Sequence, residues 1–322
     1  MSASDFTESC TSDGEPDSGL GIDEWDPEGG GAQPAFLRPG KFDSVFVYGP
    51  RMAGKTCLAS ILLTDVAGAG EKEGFNLIFV YSNSPQTLEL YKRLVPSIRK
   101  RPGDEPINFI EWSSRGPQHI EQLKLVQNSR VRAGKPMLRL LLILDDVVGE
   151  LKKGEENVSL TQVFTAGRHM GASIWLISQT YTHVPTSVRR NSDIVFLGHS
   201  RSGVERDLLQ EDVVRGAILH DDLAKVVPLG EPARNEKELA RRLYQESTLE
   251  QGFLVVDHRS KGRGARETLF TFRARDEEVA AYEKLVGGDE TENSLTARDE
   301  TDIDGPLTAI EVDDSTALVS EV

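Results

Sequence analysis

Eight consecutive residues, Gly49-Pro50-Arg51-Met52-Ala53-Gly54-Lys55-Thr56, fit the pattern G-x-x-x-x-G-K-[ST] at every fixed position. The chemistry this pattern serves is phosphate binding. Glycines let the backbone wrap a phosphate so that its N–H groups point inward at the head of a helix dipole. Lys55 would neutralise the β- and γ-phosphates, and Thr56 would offer its hydroxyl to Mg²⁺. Cys57 follows directly, one residue inside the helix, as a small packing residue at the edge of the nucleotide site.

A phosphate loop needs a carboxylate on a neighbouring strand to hold the metal. The run Arg139-Leu-Leu-Leu-Ile-Leu-Asp145-Asp146 supplies one. Five apolar residues bury a strand, and the acid pair emerges at its carboxyl end, where open parallel sheets bind ligands. Asp145 is the expected Mg²⁺ partner, held through water, and Asp146 is then placed to polarise the attacking water. Glutamate is commoner in that second role and Asp is one methylene shorter, so Glu150 stays open as an alternative base. A third segment, Ile174-Trp-Leu-Ile-Ser178-Gln179-Thr180, is a strand ending in polar residues. A glutamine there can hydrogen-bond the attacking water or the γ-phosphate and sense nucleotide state. No Asn-Lys-x-Asp guanine-reading motif occurs, which disfavours a GTPase switch. No Gly-x-Gly-x-x-Gly fingerprint follows the first strand. The six histidines are scattered, and His169 has no second ligand at metal-binding spacing.

These residues need a sheet to position them. Apolar or β-rich runs predict strands at 44–48, 76–81, 107–112, 138–144, 172–178 and 193–197. Helical spacing occupies 55–66, 87–94, 118–132, 205–209 and 236–244. Continuous apolar strands separated by helices imply a parallel sheet covered on both faces. Two further strands, 252–257 and 268–272, are close enough to form a closing hairpin at the sheet edge. The fold class is therefore α/β.

Of the 322 residues, 38% are hydrophobic, and the formal charge is −15. That charge is unevenly spread. Residues 1–40 carry nine acidic residues to one basic, and residues 286–322 carry eleven to one. The body, 41–285, has 35 basic and 32 acidic residues, so it is slightly basic. The division expected is an acidic disordered tail over 1–40, an ATPase domain over 41–285, and a second acidic disordered tail over 286–322. The tails read as solubilising or partner-docking arms. Two cysteines exclude a disulfide framework, and no apolar run is long enough to span a bilayer. No secretory leader is expected from the acidic first 30 residues, so the chain reads as intracellular. Basic clusters occur at 99–101, 130–135 and 152–153. Another, Arg259-Ser-Lys261-Gly-Arg263 with Arg266, has glycines between its charges, which suits a loop reaching DNA phosphates.

The order of these motifs resembles a known family. The phosphate loop, the Leu-rich strand ending in Asp145-Asp146, Phe164-Thr-Ala-Gly-Arg168-His169, Ile177-Ser-Gln179-Thr180 and Val188-Arg189-Arg190-Asn191-Ser192-Asp193 follow one another. Together they look like the poxvirus-type DNA-packaging ATPases of large double-stranded DNA viruses, a branch of the FtsK–HerA superfamily. The resemblance covers about residues 42–275. It implies a RecA-like P-loop NTPase core, a homo-oligomeric ring, and ATP-driven translocation of double-stranded DNA into a capsid. It also implies capsid proteins as partners and a place in the host cytoplasm or nucleus where virions assemble. ATP would lie at residues 49–56, Mg²⁺ at Thr56 and Asp145, with Asp146 as base and Gln179 as sensor. Ring ATPases of this kind insert an arginine from a neighbouring subunit, a finger worth roughly 10³–10⁵ in rate. Arg168, Arg189 and Arg190 are the candidates, with Arg168 and Arg190 ranked equal. Two other readings remain: a helicase- or conjugation-type DNA pump, and a non-hydrolysing nucleotide switch or assembly scaffold.

Overall fold

The computed structural model describes residues 22–25, 42–68, 75–98, 107–148, 158–228, 232–259 and 264–286. Its frame is one eight-stranded sheet: β1 (Ser44–Tyr48), β2 (Leu77–Ser82), β3 (Ile107–Glu111), β4 (Leu140–Asp145), β5 (Ala172–Ser178), β6 (Ile194–Leu197), β7 (Phe253–Asp257) and β8 (Leu269–Phe272). The strand order is β3-β2-β4-β5-β1-β6-β7-β8. The first six strands run parallel, while β7 and β8 pair antiparallel at one side, as the hairpin reading expects.

The helices are α1 (Lys55–Gly68), α2 (Pro85–Ile98), α3 (Trp112–Arg132), α4 (Val158–Ala166), α5 (Thr186–Arg190), α6 (Gly203–Leu209), α7 (Asp222–Lys225), α8 (Glu236–Ser247), α9 (Ala265–Thr268) and α10 (Asp276–Val286). Alternate residues of each strand feed opposite cores. Val45, Val47, Ile143, Trp175 and Ile177 join Leu58, Leu62 and Tyr91 of α1 and α2 on one face. Phe46, Leu142, Leu144 and Leu176 join Ile120, Leu160, Val163, Leu239 and Leu243 on the other. Burial on both faces explains why the central strands are mostly apolar runs and do not alternate with polar residues. The architecture is α/β, a mostly parallel central sheet with helices on both faces.

Several features depart from the sequence reading. The chain enters α3 at Trp112, although Pro117 suggests a later start; the proline lies in the early helix. Gly116 permits this, since a Cβ there would come 2.4 Å from the Trp112 ring. The helices α4, α5, α7, α9 and α10 have no counterpart among the expected elements. Within the stretch expected as an acidic tail, Ile22 and Trp25 are each only 3% exposed. The Trp25 N–H donates to the Thr271 carbonyl at 2.7 Å, and the Thr271 N–H donates to the Asp23 carbonyl at 2.9 Å, so this segment lies along β8. Trp25 packs edge-on against Phe196 and Phe272. Its large apolar ring gives a short acidic stretch enough buried area to dock. Lys152, Lys153 and Glu150, the 99–101 cluster, and the remainder of both tails lie outside the described residues.

Candidate active site

β1 is flanked by β5 and β6, and β5 separates it from β4. The strand leading into the phosphate loop, the strand ending in the acid pair and the strand ending in Gln179 therefore open at the same end of the sheet. The loop is pinned at its base, where the Gly49 N–H donates to the Ser178 carbonyl at 3.2 Å. Gly54 takes φ +77°, a left-handed turn that suits glycine, and Met52 takes φ +65°. Lys55 opens α1, and its ammonium donates to the Pro50 carbonyl across the loop at 2.8 Å. Burial pushes its pKa down, opposed by the Asp145 and Asp146 carboxylates. A buried ammonium hooked over a backbone N–H cradle is equipped to hold an anion.

Asp145 is 5% exposed at the carboxyl end of β4. Burial pushes its carboxyl up to about 7, against the lowering effects of the Tyr91 hydroxyl and Lys55. Tyr91 of α2 donates to Oδ2 at 3.0 Å. A buried carboxylate with so little compensation fits a cation, and Thr56 stands half-buried in the first turn of α1 to share one. Asp146 adopts φ +57°. Its N–H donates to the Ile177 carbonyl at 3.0 Å, and its Oδ2 accepts from Gln179 Nε2 at 3.0 Å. The structure thus brings together the phosphate loop, Asp145, Asp146 and Gln179.

It does not bring the arginines to this end. Arg168 lies in a short turn before β5 and pairs with Asp193, just before β6. The same carboxylate accepts from the N–H and hydroxyl of Ser44, the first residue of β1. This is the amino end of the parallel strands, roughly 15 Å of strand from the phosphate loop. Arg190 is exposed at the end of α5 and also precedes β6. Neither lies beside the phosphate loop of its own chain. Arg189 is engaged internally: it lies over the Tyr181 ring, 4.4 Å from its centroid, and pairs with Asp212 at 3.0 Å. Of the cluster expected to suit DNA, Arg259 is clamped between Asp257 and Asp43 and Arg266 donates to the Lys225 carbonyl, while Lys261 and Arg263 lie outside the described residues. Cys57 is buried beside the charges of Glu278 and Glu283, and its thiol is pushed up to about 11, so it packs without reacting.

Several site residues escape sequence reasoning. A cavity of about 600 Å³ runs from Lys55 and Thr56 to a far wall of Gln251, Phe253, Phe272, Ala274, Val279 and Tyr282. At its rim Glu250 and Gln251 hold consecutive left-handed conformations, φ +50° and +64°. Glu250 pairs with Arg273 at 3.1 Å. These residues come from the edge strands and α10, far from any motif. Glu205 of α6 accepts from the Tyr48 hydroxyl at 2.8 Å and the Tyr181 N–H at 2.9 Å. It thereby ties the end of β1 to the loop after Gln179. A lone Glu in a helical run gives no sequence signal for this.

Residues 115–244 match the family model of the poxvirus A32 protein. The resemblance read from the motifs holds over these residues, which include Asp145, Asp146, Arg168, Gln179 and Arg190. No curated protein matches the chain. Among solved structures, B204, the DNA-packaging ATPase from Sulfolobus turreted icosahedral virus, is 16% identical. It covers 74% of this chain and 98% of its own at a TM-score of 0.46. The genome packaging NTPase B204 from Sulfolobus turreted icosahedral virus 2, in complex with AMPPCP, is 16% identical, covering 73% and 98% at 0.45. The cytoplasmic domain of the type VII secretion ATPase EccC from Thermomonospora curvata is 14% identical, covering 72% and 25% at 0.42. Likeness at this level carries no functional weight.

Proposed function

We propose that this protein is a genome-packaging ATPase, a motor that hydrolyses ATP to move double-stranded viral DNA into a capsid. One observation carries the ATPase part: Asp145, Asp146 and Gln179 stand at the carboxyl ends of neighbouring strands around a complete phosphate loop. The match to the poxvirus A32 family supports the packaging part.

In this reading the backbone of residues 49–56 cradles the phosphates, and Lys55 leaves the Pro50 carbonyl to meet a phosphate oxygen. Thr56 and Asp145 would hold Mg²⁺, which when bound neutralises charge developing on the phosphates. Asp146 orients and deprotonates the attacking water, and Gln179 holds the Asp146 carboxylate in place and senses the γ-phosphate. The nucleoside lies in the cavity against Phe272 and Tyr282. Arg168 or Arg190 enters the site of the next subunit in a homo-oligomeric ring, and DNA is gripped through its backbone.

The test is phosphate release from ATP by the full chain. Lys55→Ala is expected to lower the rate by at least about 100-fold, the scale of losing one preorganised charge-stabilising group. Asp146→Asn is expected to lower it by about 10²–10⁴-fold while nucleotide still binds. Nucleotide binding without turnover by the unmodified chain would favour the switch reading.

A further inference from the structure

Tyr91 has no part in any phosphate-loop motif, yet its hydroxyl meets the metal-side carboxylate. It projects from α2, is 1% exposed, and lies in the apolar core shared with Leu58, Leu62 and Ile143. A phenol buried this deeply needs a hydrogen-bond partner, and phenylalanine would fill the same space without that need. The partner is Oδ2 of Asp145, at 3.0 Å. Asp145 ends its strand between Ser82 of β2 and Ile177 of β5. The backbone is therefore fixed by the sheet, and the remaining freedom of the carboxyl group is rotation about its own side-chain bonds.

We propose that Tyr91 is a positioning residue for the Asp145 carboxylate, holding Oδ2 so that Oδ1 faces the divalent cation beside Thr56. Outer-shell partners of this kind fix the orientation of a ligand, and losing one costs about 10–100-fold in metal affinity or activity. α2 also packs on α1, which carries Lys55 and Thr56, and on α10, which walls the nucleoside cavity. Through Tyr91 the placement of these helices and the direction of the metal carboxylate are set together. The inference rests on the ATPase reading.

The experiment is an equilibrium titration of the full chain with a fluorescent ATP analogue, in EDTA and across a Mg²⁺ series. Tyr91→Phe is expected to bind the analogue in EDTA within twofold of the unmodified chain. The Mg²⁺ concentration giving half-maximal tightening is expected to rise about 10–100-fold. In an Asp145→Asn background, Tyr91→Phe is expected to change nothing further, because it acts through that carboxylate. A Mg²⁺ series for Tyr91→Phe that superimposes on that of the unmodified chain overturns the proposal, as does an additive effect in the double variant. A second readout avoids the variant's folding altogether: 3-fluorotyrosine at position 91 should shift its ¹⁹F resonance when Mg²⁺ joins the nucleotide-loaded protein. An unmoved resonance overturns the proposal. Nucleotide binding in the unmodified chain that never responds to Mg²⁺ would bring down the ATPase reading first, and this role with it.

Discussion

Asp146 occupies the left-handed region at φ +57°, a conformation that Asp tolerates better than most residues with a Cβ. The turn places its carboxylate against Gln179, two strand-ends that the sequence puts 33 residues apart. The acid pair and the glutamine were readable because each ends an apolar run. Their hydrogen bond was not, since it depends on which strands lie side by side. His119 is a residue-scale case of the same kind. It sits buried with its Nδ1 2.7 Å from the Tyr81 hydroxyl, and burial pushes its pKa down to about 4. The fold therefore holds the ring neutral, and its contribution to stability is complete above the ordinary histidine pKa of about 6.5. As pH falls from about 6.5 to about 4, protonation should favour the unfolded chain by up to roughly 3 kcal/mol. Denaturant midpoints measured across that range should show this acid limb, and His119→Gln should flatten it.

At the scale of elements, strands were the most legible because β1 and β5 carry nothing but buried residues. α10 and the Ile22–Trp25 segment were not. α10 follows Arg273–Arg275 and opens on Asp276-Glu277-Glu278, so its start blends into the charged stretch that follows the last strand, yet Val279 and Tyr282 line the cavity beside Lys55 and Thr56. Ile22–Trp25 stands in a strongly acidic stretch, so average composition masks the two apolar residues that dock it. The Trp25 ring lies 5.1 Å from that of Phe196, centroid to centroid, and 6.2 Å from that of Phe272, which lines the cavity. Trp25→Ala should therefore cost about 3–5 kcal/mol of folding stability, the usual range for removing a buried large aromatic side chain. Chemical denaturation would check the magnitude. A variant as stable as the unmodified chain would mean that the β8 edge stands without this segment. Removal of residues 1–35 is accordingly no neutral trimming of charge, because it takes Trp25 away as well.

For the whole molecule, the placement of the arginines matters most. Arg168 and Arg190 lie toward the amino ends of the parallel strands, while the phosphate loop, Asp145 and Gln179 lie at the carboxyl ends. One chain cannot supply both to a single nucleotide, so a finger from either residue requires a neighbour. If subunits share sites in this way, mixing the unmodified chain with Arg168→Ala or Arg190→Ala should depress ATPase activity more steeply than the fraction of variant added. A linear decline for both would remove the shared finger. The net charge of −15 suggests a protein that avoids DNA, but the body between residues 41 and 285 is slightly basic. Its grip on DNA should be backbone-directed and salt-sensitive, since each phosphate contact releases counterions. The measurement that bears most directly on the motor is the ATPase rate of the full chain with and without long double-stranded DNA. The account predicts a rate that rises with DNA, falls back as salt is raised, and disappears in Lys55→Ala. A rate indifferent to DNA at every salt concentration would contradict it.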